Sequence, residues 1–242
     1  MKNSSVFVLW PYVAFALLLA GAVLRTFMMW RHPSELAAQK SEAWAAIRGS
    51  RLWRWSLLVV LTGHLPALLF PRAILRWNSV PARLYALEGF FFVAACVAVI
   101  SGSVLVWKQL GRSGSSLLAS AMDTVFLAFL MVALVSGLVV AVRYRWGSSW
   151  GAITMAPYVN SLLRGEPVVD FAAQMPFLAR LHTLSSFATI AVIPFTRLST
   201  LLVGLIYGAV TLTARPLAAA GNAVGTWLSK HNPGALFWPE ED

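Results

Sequence analysis

Five long apolar segments constrain this chain more than any other feature of its sequence. They cover residues 6–24, 55–70, 85–107, 122–142 and a stretch that begins near residue 177. A helix of about 20 residues crosses the hydrocarbon core of a bilayer and satisfies its own backbone polar groups there. The pattern therefore predicts an all-α membrane protein, a bundle of five transmembrane helices.

Composition agrees with a membrane protein. Hydrophobic residues make up 59% of the chain and charged residues 12%, whereas a soluble domain is typically about a quarter charged. The net charge is +10, but the basic residues lie between the apolar segments, where they orient the chain and contact membrane lipid. We therefore do not expect nucleic-acid binding. The single Cys96 lies in an apolar segment, which excludes a disulfide framework within the chain.

The two ends of the chain leave alternatives open. Residues 6–24 follow a short polar start and could be a signal peptide, but the segment is long enough to span, so we expect it to be the first helix. Residues 177–212 are interrupted by Pro194 and could form one long helix or two spans. We favour one span. The expected organisation is a membrane domain, residues 1–213, and a C-terminal tail, residues 214–242.

The distribution of basic residues gives the expected orientation. If residues 26–54 are cytoplasmic, that side carries eleven of the 19 Lys and Arg residues and the other side eight. Positive charge is enriched on the cytoplasmic side of membrane proteins. We therefore expect a multi-pass protein of the inner (cytoplasmic) membrane, with its N-terminus outside and its C-terminus in the cytoplasm.

Two of the four histidines lie at membrane depth. His64 is within the second apolar segment, and His182 is near the start of the fifth. Ionisable groups at this depth are costly and usually have a partner, and a neutral imidazole is a common ligand of haem iron. Two histidines on different helices at similar depth favour a b-type haem between them. Each could instead be a packed histidine that donates to a backbone carbonyl.

Several short segments together resemble the gamma subunit, the cytochrome b membrane anchor, of respiratory nitrate reductases. They are Gly63-His64-Leu65-Pro66, Gly102 with Val104-Leu105-Val106-Trp107-Lys108, Met122-Asp123, Arg180-Leu181-His182 and Pro194-Phe195-Thr196-Arg197-Leu198. Their order and spacing match over most of the chain, from about residue 11 to residue 205.

The resemblance implies haem b, but one haem fewer than the family holds. The family has two stacked haems, and its outer histidine pair falls on His64 and His182. At the positions of the inner pair this chain has Arg54 and Thr200, which are unsuitable as iron ligands. We therefore expect a single-haem relative. His32 and His231 could in principle replace the missing pair, but we expect them to be solvated.

Other site residues follow from this interpretation. Gly63 has no side chain to block a porphyrin face, and we expect a quinone pocket beside it. Arg180 could pair with a haem propionate or with a lipid headgroup. The family has a quinol-site lysine near Arg83 and Glu88, so either residue is a weaker quinone candidate.

The resemblance also implies the function. In the family, electrons pass from quinol through both haems to a cytoplasmic iron–sulfur subunit. A single outer haem fits better with a partner on the outer face, such as an iron–sulfur subunit, a c-type cytochrome or another redox protein. We expect a membrane-anchoring electron-transfer subunit of a quinone-linked oxidoreductase complex, which is not catalytic alone.

Two other interpretations remain. The first is a haem-free structural membrane anchor of a redox complex. The second is a small transporter with proton-relaying histidines, which the lack of inverted repeats disfavours.

Overall fold

The computed structural model describes residues 4–48, 50–109, 120–144, 147–201, 219–227 and 230. Within these residues the chain is helical, with short connections. The α-helices are α1 (Ser4–Arg31), α2 (Pro33–Arg48), α3 (Arg51–Leu69), α4 (Pro71–Asn78), α5 (Pro81–Gln109), α6 (Ala121–Arg143), α7 (Gly147–Trp150), α8 (Ala156–Leu163), α9 (Asp170–Ala173) and α10 (Phe177–Val192). A π-helix, Gly151–Met155, joins α7 to α8, and a 3₁₀ turn, Ile193–Phe195, follows α10.

Five of these helices are long and apolar enough to cross a membrane. The candidate spans are Ser5–Met28, Arg51–Leu69, Pro81–Lys108, Ala121–Arg143 and Phe177–Phe195. Within the described residues, the predicted all-α architecture with five helices able to cross a membrane is therefore confirmed. The helices extend beyond the apolar segments because polar and basic residues continue their first and last turns.

Helix α10 is the most enclosed of the spans. It packs between α1 and α6, while α3 pairs with α5, and α5 joins the two groups through α6. In its most apolar window 44% of the residues are buried, against 11% in α3. Polar groups on α10 are therefore held mainly by protein, and much of α3 faces the surroundings of the bundle.

The bundle has two ends that differ in what covers them. At the α2 end, α1 ends, α3 begins and α2 lies against the chain, with Arg25 on α1 donating to Gln39 on α2 at 2.8 Å. At the α8 end, α6 ends, α10 begins, and the connection from α7 to α9 lies between them. These two names are used below because they do not depend on which end is cytoplasmic.

Local sequence explains where the critical helices begin and end. The Ser50 hydroxyl accepts from the Trp53 backbone N–H at 3.2 Å and caps the start of α3. Pro176 precedes α10, and Pro194, which has no backbone N–H to donate, closes it. Helix α10 therefore ends at Val192, inside the segment 177–212 that could have formed one long helix.

Side-chain hydrogen bonds tie α1 to the α8 end. The Tyr158 hydroxyl donates to the Phe7 carbonyl, and the Tyr12 hydroxyl donates to the Leu162 carbonyl. Burial raises the pKa of Tyr158, so this hydroxyl stays a neutral donor. The connection between α6 and α10 is thus attached to the bundle by buried polar contacts.

By compactness the chain divides into residues 1–201 and residues 202–242. All five candidate spans lie in the first unit. In the second, residues 219–227 are helical. The expected boundary between residues 213 and 214 lies outside the described residues, and so does the part of residues 177–212 that follows residue 201.

Candidate functional site

The two histidines singled out from the sequence meet near the α8 end of the bundle. His64 is on the last two turns of α3, and His182 is on the second turn of α10. The centroids of their imidazole rings are 6.0 Å apart, and the ring planes are inclined by 37°. Because α3 and α10 are far apart in sequence, this pairing arises only through the fold.

Each imidazole is oriented by a backbone carbonyl. Nδ1 of His64 lies 2.7 Å from the Val60 carbonyl oxygen, one turn earlier on the same helix. Nδ1 of His182 lies 2.8 Å from the Ala133 carbonyl oxygen on α6. A carbonyl oxygen can only accept, so Nδ1 carries the proton in both rings. In a neutral imidazole the lone pair is then on Nε2, and this is the arrangement typical of metal-binding histidines.

The separation of the rings fits a metal ion between them. Metal–imidazole bonds of about 2 Å place two ring centroids roughly 6 Å apart when the ion lies between the rings. The donor set of two neutral imidazoles also suits haem iron, whose other ligands belong to the porphyrin. Among the described residues no three His, Cys, Asp or Glu side chains converge on a point, so nothing there indicates a metal site built only from side chains.

Gly137 on α6 makes room for His182. A Cβ atom at this position would lie 2.8 Å from Cε1 and 2.9 Å from Nδ1 of the imidazole. Any larger residue would push the ring away from the Ala133 carbonyl. Sequence reasoning missed Gly137. A glycine within an apolar span was the available signal, but the sequence does not reveal which residue faces it.

Gly63 and Arg180 have contacts that the sequence did not suggest. A Cβ atom on Gly63 would clash with the Phe91 ring, so this glycine lets α3 and α5 approach each other. Nε of Arg180 donates to the Met175 carbonyl at 2.6 Å. Arg180 also precedes His182 by two residues, a spacing that points two helical side chains to different faces. The porphyrin-facing role of Gly63 and the propionate role of Arg180 stay predictions.

Protein side chains fill the half of the bundle nearer the α2 end. Arg54 lies ten residues before His64, about 15 Å along α3. Beside it, Trp53 belongs to a buried apolar cluster with α5 and α6 residues such as Leu105 and Phe126. Thr200 is fully buried, and its hydroxyl donates to the Arg197 carbonyl. Of the two positions that correspond to the inner ligands, Thr200 is therefore buried, and Arg54 is half-buried beside a packed apolar cluster.

A buried ion pair also lies at the α2 end. The Asp123 carboxylate, 1% exposed, accepts from Nε of Arg197 at 2.6 Å and from the Arg197 backbone N–H at 2.8 Å. Arg25 interacts electrostatically with the same carboxylate. In the sequence, Asp123 stood out only as part of the segment Met122-Asp123. The ion pair with Arg197, which lies after the end of α10, was missed.

The remaining candidates have separate surroundings. Oε1 of Glu88 accepts from the backbone N–H and the hydroxyl of Ser148, both at 2.7 Å, which ties α5 to α7. The Arg83 guanidinium lies 5.3 Å from the Trp77 ring centroid. His32 is exposed between α1 and α2. His231 lies outside the described residues.

Comparison with known proteins gives one consistent result. The profile of the family described as "nitrate reductase gamma subunit" matches residues 3–217 of this chain. The nitrate reductase gamma chain of Bacillus subtilis (strain 168) is 24% identical over 206 residues, which cover 79% of this chain and 88% of the relative.

Proposed function

Because this chain belongs to the nitrate reductase gamma subunit family, we propose that it is a b-type cytochrome subunit that anchors an oxidoreductase complex in the membrane. Family membership supports the coarser statement, a membrane-anchoring cytochrome b subunit of a nitrate reductase-like complex. Our more specific proposal is electron transfer between the quinone pool and a partner redox subunit, through one haem held by His64 and His182.

The observation that carries this proposal is the orientation of the two imidazoles. Both rings are fixed through Nδ1 by a backbone carbonyl, which in the neutral imidazole leaves Nε2 with the lone pair that binds iron. A bound b-type haem would supply one-electron redox chemistry that the side chains lack. The protein's part is to hold the two nitrogens, orient the rings and surround the site with apolar helices.

We propose one haem per chain and a partner on the face beside the α8 end. Arg54 and Thr200 offer no ligand for a second haem, and Trp53, next to Arg54, belongs to a packed apolar cluster. Electron tunnelling falls steeply with distance. A redox centre near His64 and His182 therefore communicates best with a partner that docks at the same end.

The first experiment is a haem assay on the purified chain. We expect one b-type haem per polypeptide by pyridine haemochrome and a low-spin spectrum after reduction with dithionite. His64→Ala and His182→Ala should each abolish this spectrum, because a single axial ligand rarely retains a low-spin haem. His32→Ala is the matched control and should keep it.

The outcomes separate the proposal from its rivals. A spectrum without cytochrome b bands in the unmodified protein would favour the haem-free anchor. Two haems per polypeptide would contradict the single-haem proposal and direct attention to His32 and His231. A normal spectrum in His182→Ala would show that this residue is not a ligand.

A further inference from the structure

The connection between α6 and α10 contains a cavity of about 360 Å³. Its wall comes from α7, the π-helix and the α9 region, and it includes Trp150, Ile153, Thr154, Asp170, Phe171 and Gln174. A π-helix is rare and often occurs at functional sites. The segment that links two candidate spans therefore builds a cavity of its own, and the chemistry of its wall indicates what it can bind.

Asp170 gives the cavity a negative charge that has no counter-ion in the part of the chain that the structure describes. The ion pairs found there are those of Arg197 with Asp123 and with Glu42. The carboxylate of Glu88 accepts from Ser148 instead. Asp170 is thus left without a cationic partner in a chain whose net charge is +10. A cationic ligand would complete this cavity, and an anionic one would be repelled.

The rest of the wall fits a primary ammonium group. Trp150 and Phe171 contribute aromatic rings, whose faces attract a cation that lies within about 6 Å. An ammonium group has three N–H donors and no acceptor. The Asp170 carboxylate, the Thr154 hydroxyl oxygen and the Gln174 amide oxygen supply one acceptor group for each of these donors. Together these side chains can replace the water around an ammonium ion.

The cavity lies at the level of the lipid headgroups. Gln174 and Met175, both in its wall, come three and two residues before the first residue of the candidate span Phe177–Phe195. A residue extends the chain by at most about 3.5 Å, so this part of the wall is within about 10 Å of the end of the span. The headgroup layer on each side of a bilayer is roughly 5–8 Å thick. The ammonium group of a membrane lipid would therefore reach the cavity.

Two further features favour a phospholipid over an ammonium group from another source. Nε of Arg180 donates to the carbonyl of Met175, so a positive group lies beside the wall, where it can attract a phosphate. Ile153 in the wall is 58% exposed, and Phe177 at the start of the span is 74% exposed, which offers apolar surface to acyl chains. A zwitterionic phospholipid would use all three features, whereas a lysine side chain of a protein would use only the ammonium site.

We propose that this cavity binds the primary ammonium headgroup of a zwitterionic phospholipid of the phosphatidylethanolamine class, with Asp170 as its counter-ion. The bound lipid would attach the connection between α6 and α10 to the membrane surface. The proposal involves neither haem nor electron transfer, so it stands or falls separately from the proposed function.

The test is a lipid titration of the full chain in detergent, followed by native mass spectrometry. The probes are phosphatidylethanolamine and phosphatidylglycerol with the same dioleoyl chains. We expect Asp170→Asn to weaken binding of phosphatidylethanolamine about tenfold, because the hydrogen bond between two charged groups is lost. Phosphatidylglycerol has no ammonium group, so its affinity should not change. Glu166→Gln is the matched control, because it removes an exposed carboxylate from the same connection but outside this cavity.

A second variant tests the aromatic part of the wall. Trp150→Leu keeps an apolar side chain but removes a ring face, and it should weaken binding of phosphatidylethanolamine about threefold. Unchanged affinity for this lipid in both Asp170→Asn and Trp150→Leu would overturn the proposal. An equal loss in Asp170→Asn and Glu166→Gln would overturn it as well, because the effect would then come from surface charge in general.

A soluble amine distinguishes a lipid from a protein partner. N-acetyl-lysine amide carries the same ammonium group but neither a phosphate nor acyl chains. We expect it to leave phosphatidylethanolamine bound to the unmodified chain, even in large excess. Displacement of the lipid by a small amount of this amine, and not in Asp170→Asn, would assign the cavity to a lysine side chain of a partner and overturn the lipid proposal.

Discussion

At the residue scale, the two histidines differ in the backbone carbonyl that accepts a hydrogen bond from their Nδ1. His64 uses the Val60 carbonyl of its own helix, so its orientation follows from local sequence alone. His182 uses Ala133 on α6, so its orientation depends on how two helices pack. Displacing α10 from α6 would therefore disturb His182 before His64.

Gly137 provides a direct test of this difference. In Gly137→Val the new side chain meets the His182 ring, and overpacking of this kind costs about 1–3 kcal/mol or moves the imidazole away from Ala133. We expect most of the haem to be lost, measured by pyridine haemochrome per polypeptide.

The control for this prediction is another glycine in a span. A Cβ atom on Gly89 meets no atom within 4 Å, so Gly89→Val should keep its haem. Equal haem content in both variants would show that close packing of α6 against the His182 ring is not required for haem binding.

The sequence was informative about residues whose free-energy cost in a membrane can be judged without knowing their neighbours. Histidines at membrane depth are expensive wherever they point, so His64 and His182 could be identified from position alone. Gly137, Phe91 and the Asp123–Arg197 pair could not, because their roles depend on which faces of different helices meet. Periodicity within one apolar segment contains little of that information, because lipid-facing and protein-facing residues are equally hydrophobic.

At the scale of helices, the Asp123–Arg197 pair connects the start of α6 to the segment after α10. Pro194 ends α10, so the chain beyond it is no longer held by continuous helical hydrogen bonds. The buried carboxylate binds both the side chain and the backbone N–H of Arg197, and it fixes the direction in which the chain leaves the bundle.

Removing the charge of Asp123 should therefore destabilise the bundle. Asp123→Asn leaves Arg197 without its buried counter-ion, which costs about 3–5 kcal/mol for pairs of this type. We expect a clearly lower Tm in thermal unfolding of the detergent-solubilised protein.

Glu42 supplies the matched control for the ion pair. Its carboxylate lies 3.9 Å from NH1 of the same arginine, but its side chain is 57% exposed. Exposed ion pairs contribute about 0–1 kcal/mol, so Glu42→Gln should hardly change the Tm. A similar decrease in Tm in the two variants would mean that burial of Asp123 does not determine how much its ion pair contributes to stability.

The helices themselves were largely predictable, and their connections were not. The length of the apolar segments alone located the five spans, because a helix needs a minimum number of apolar residues to cross a bilayer. The segment between α6 and α10 has no such constraint. Its four short helices, α7, the π-helix, α8 and α9, depend on contacts such as Tyr158 with Phe7.

For the whole molecule, the orientation in the membrane determines where the partner docks. We expect the α2 end to be cytoplasmic and the α8 end to be outside. Single cysteines at Ser41 on α2 and Glu166 after α8, both exposed, test this in a Cys96→Ala background. An impermeant thiol reagent added to intact cells should modify the Glu166 position and spare Ser41. The reverse pattern would invert the protein and place the histidine pair near the cytoplasm.

The packed core between Trp53 and Thr200 has an energetic consequence for the cell. Moving one electron across a membrane involves about 2.3 kcal/mol per 100 mV of potential, which a haem stack that spans the bilayer can convert into work. Here the half of the bundle nearer the α2 end holds apolar side chains and a neutralised ion pair, so under the single-haem proposal it would act as an electrical insulator. Electrons exchanged at the α8 end would stay in one leaflet. Turnover of such a complex would then be electrically silent, and its rate would not slow as the membrane potential rises.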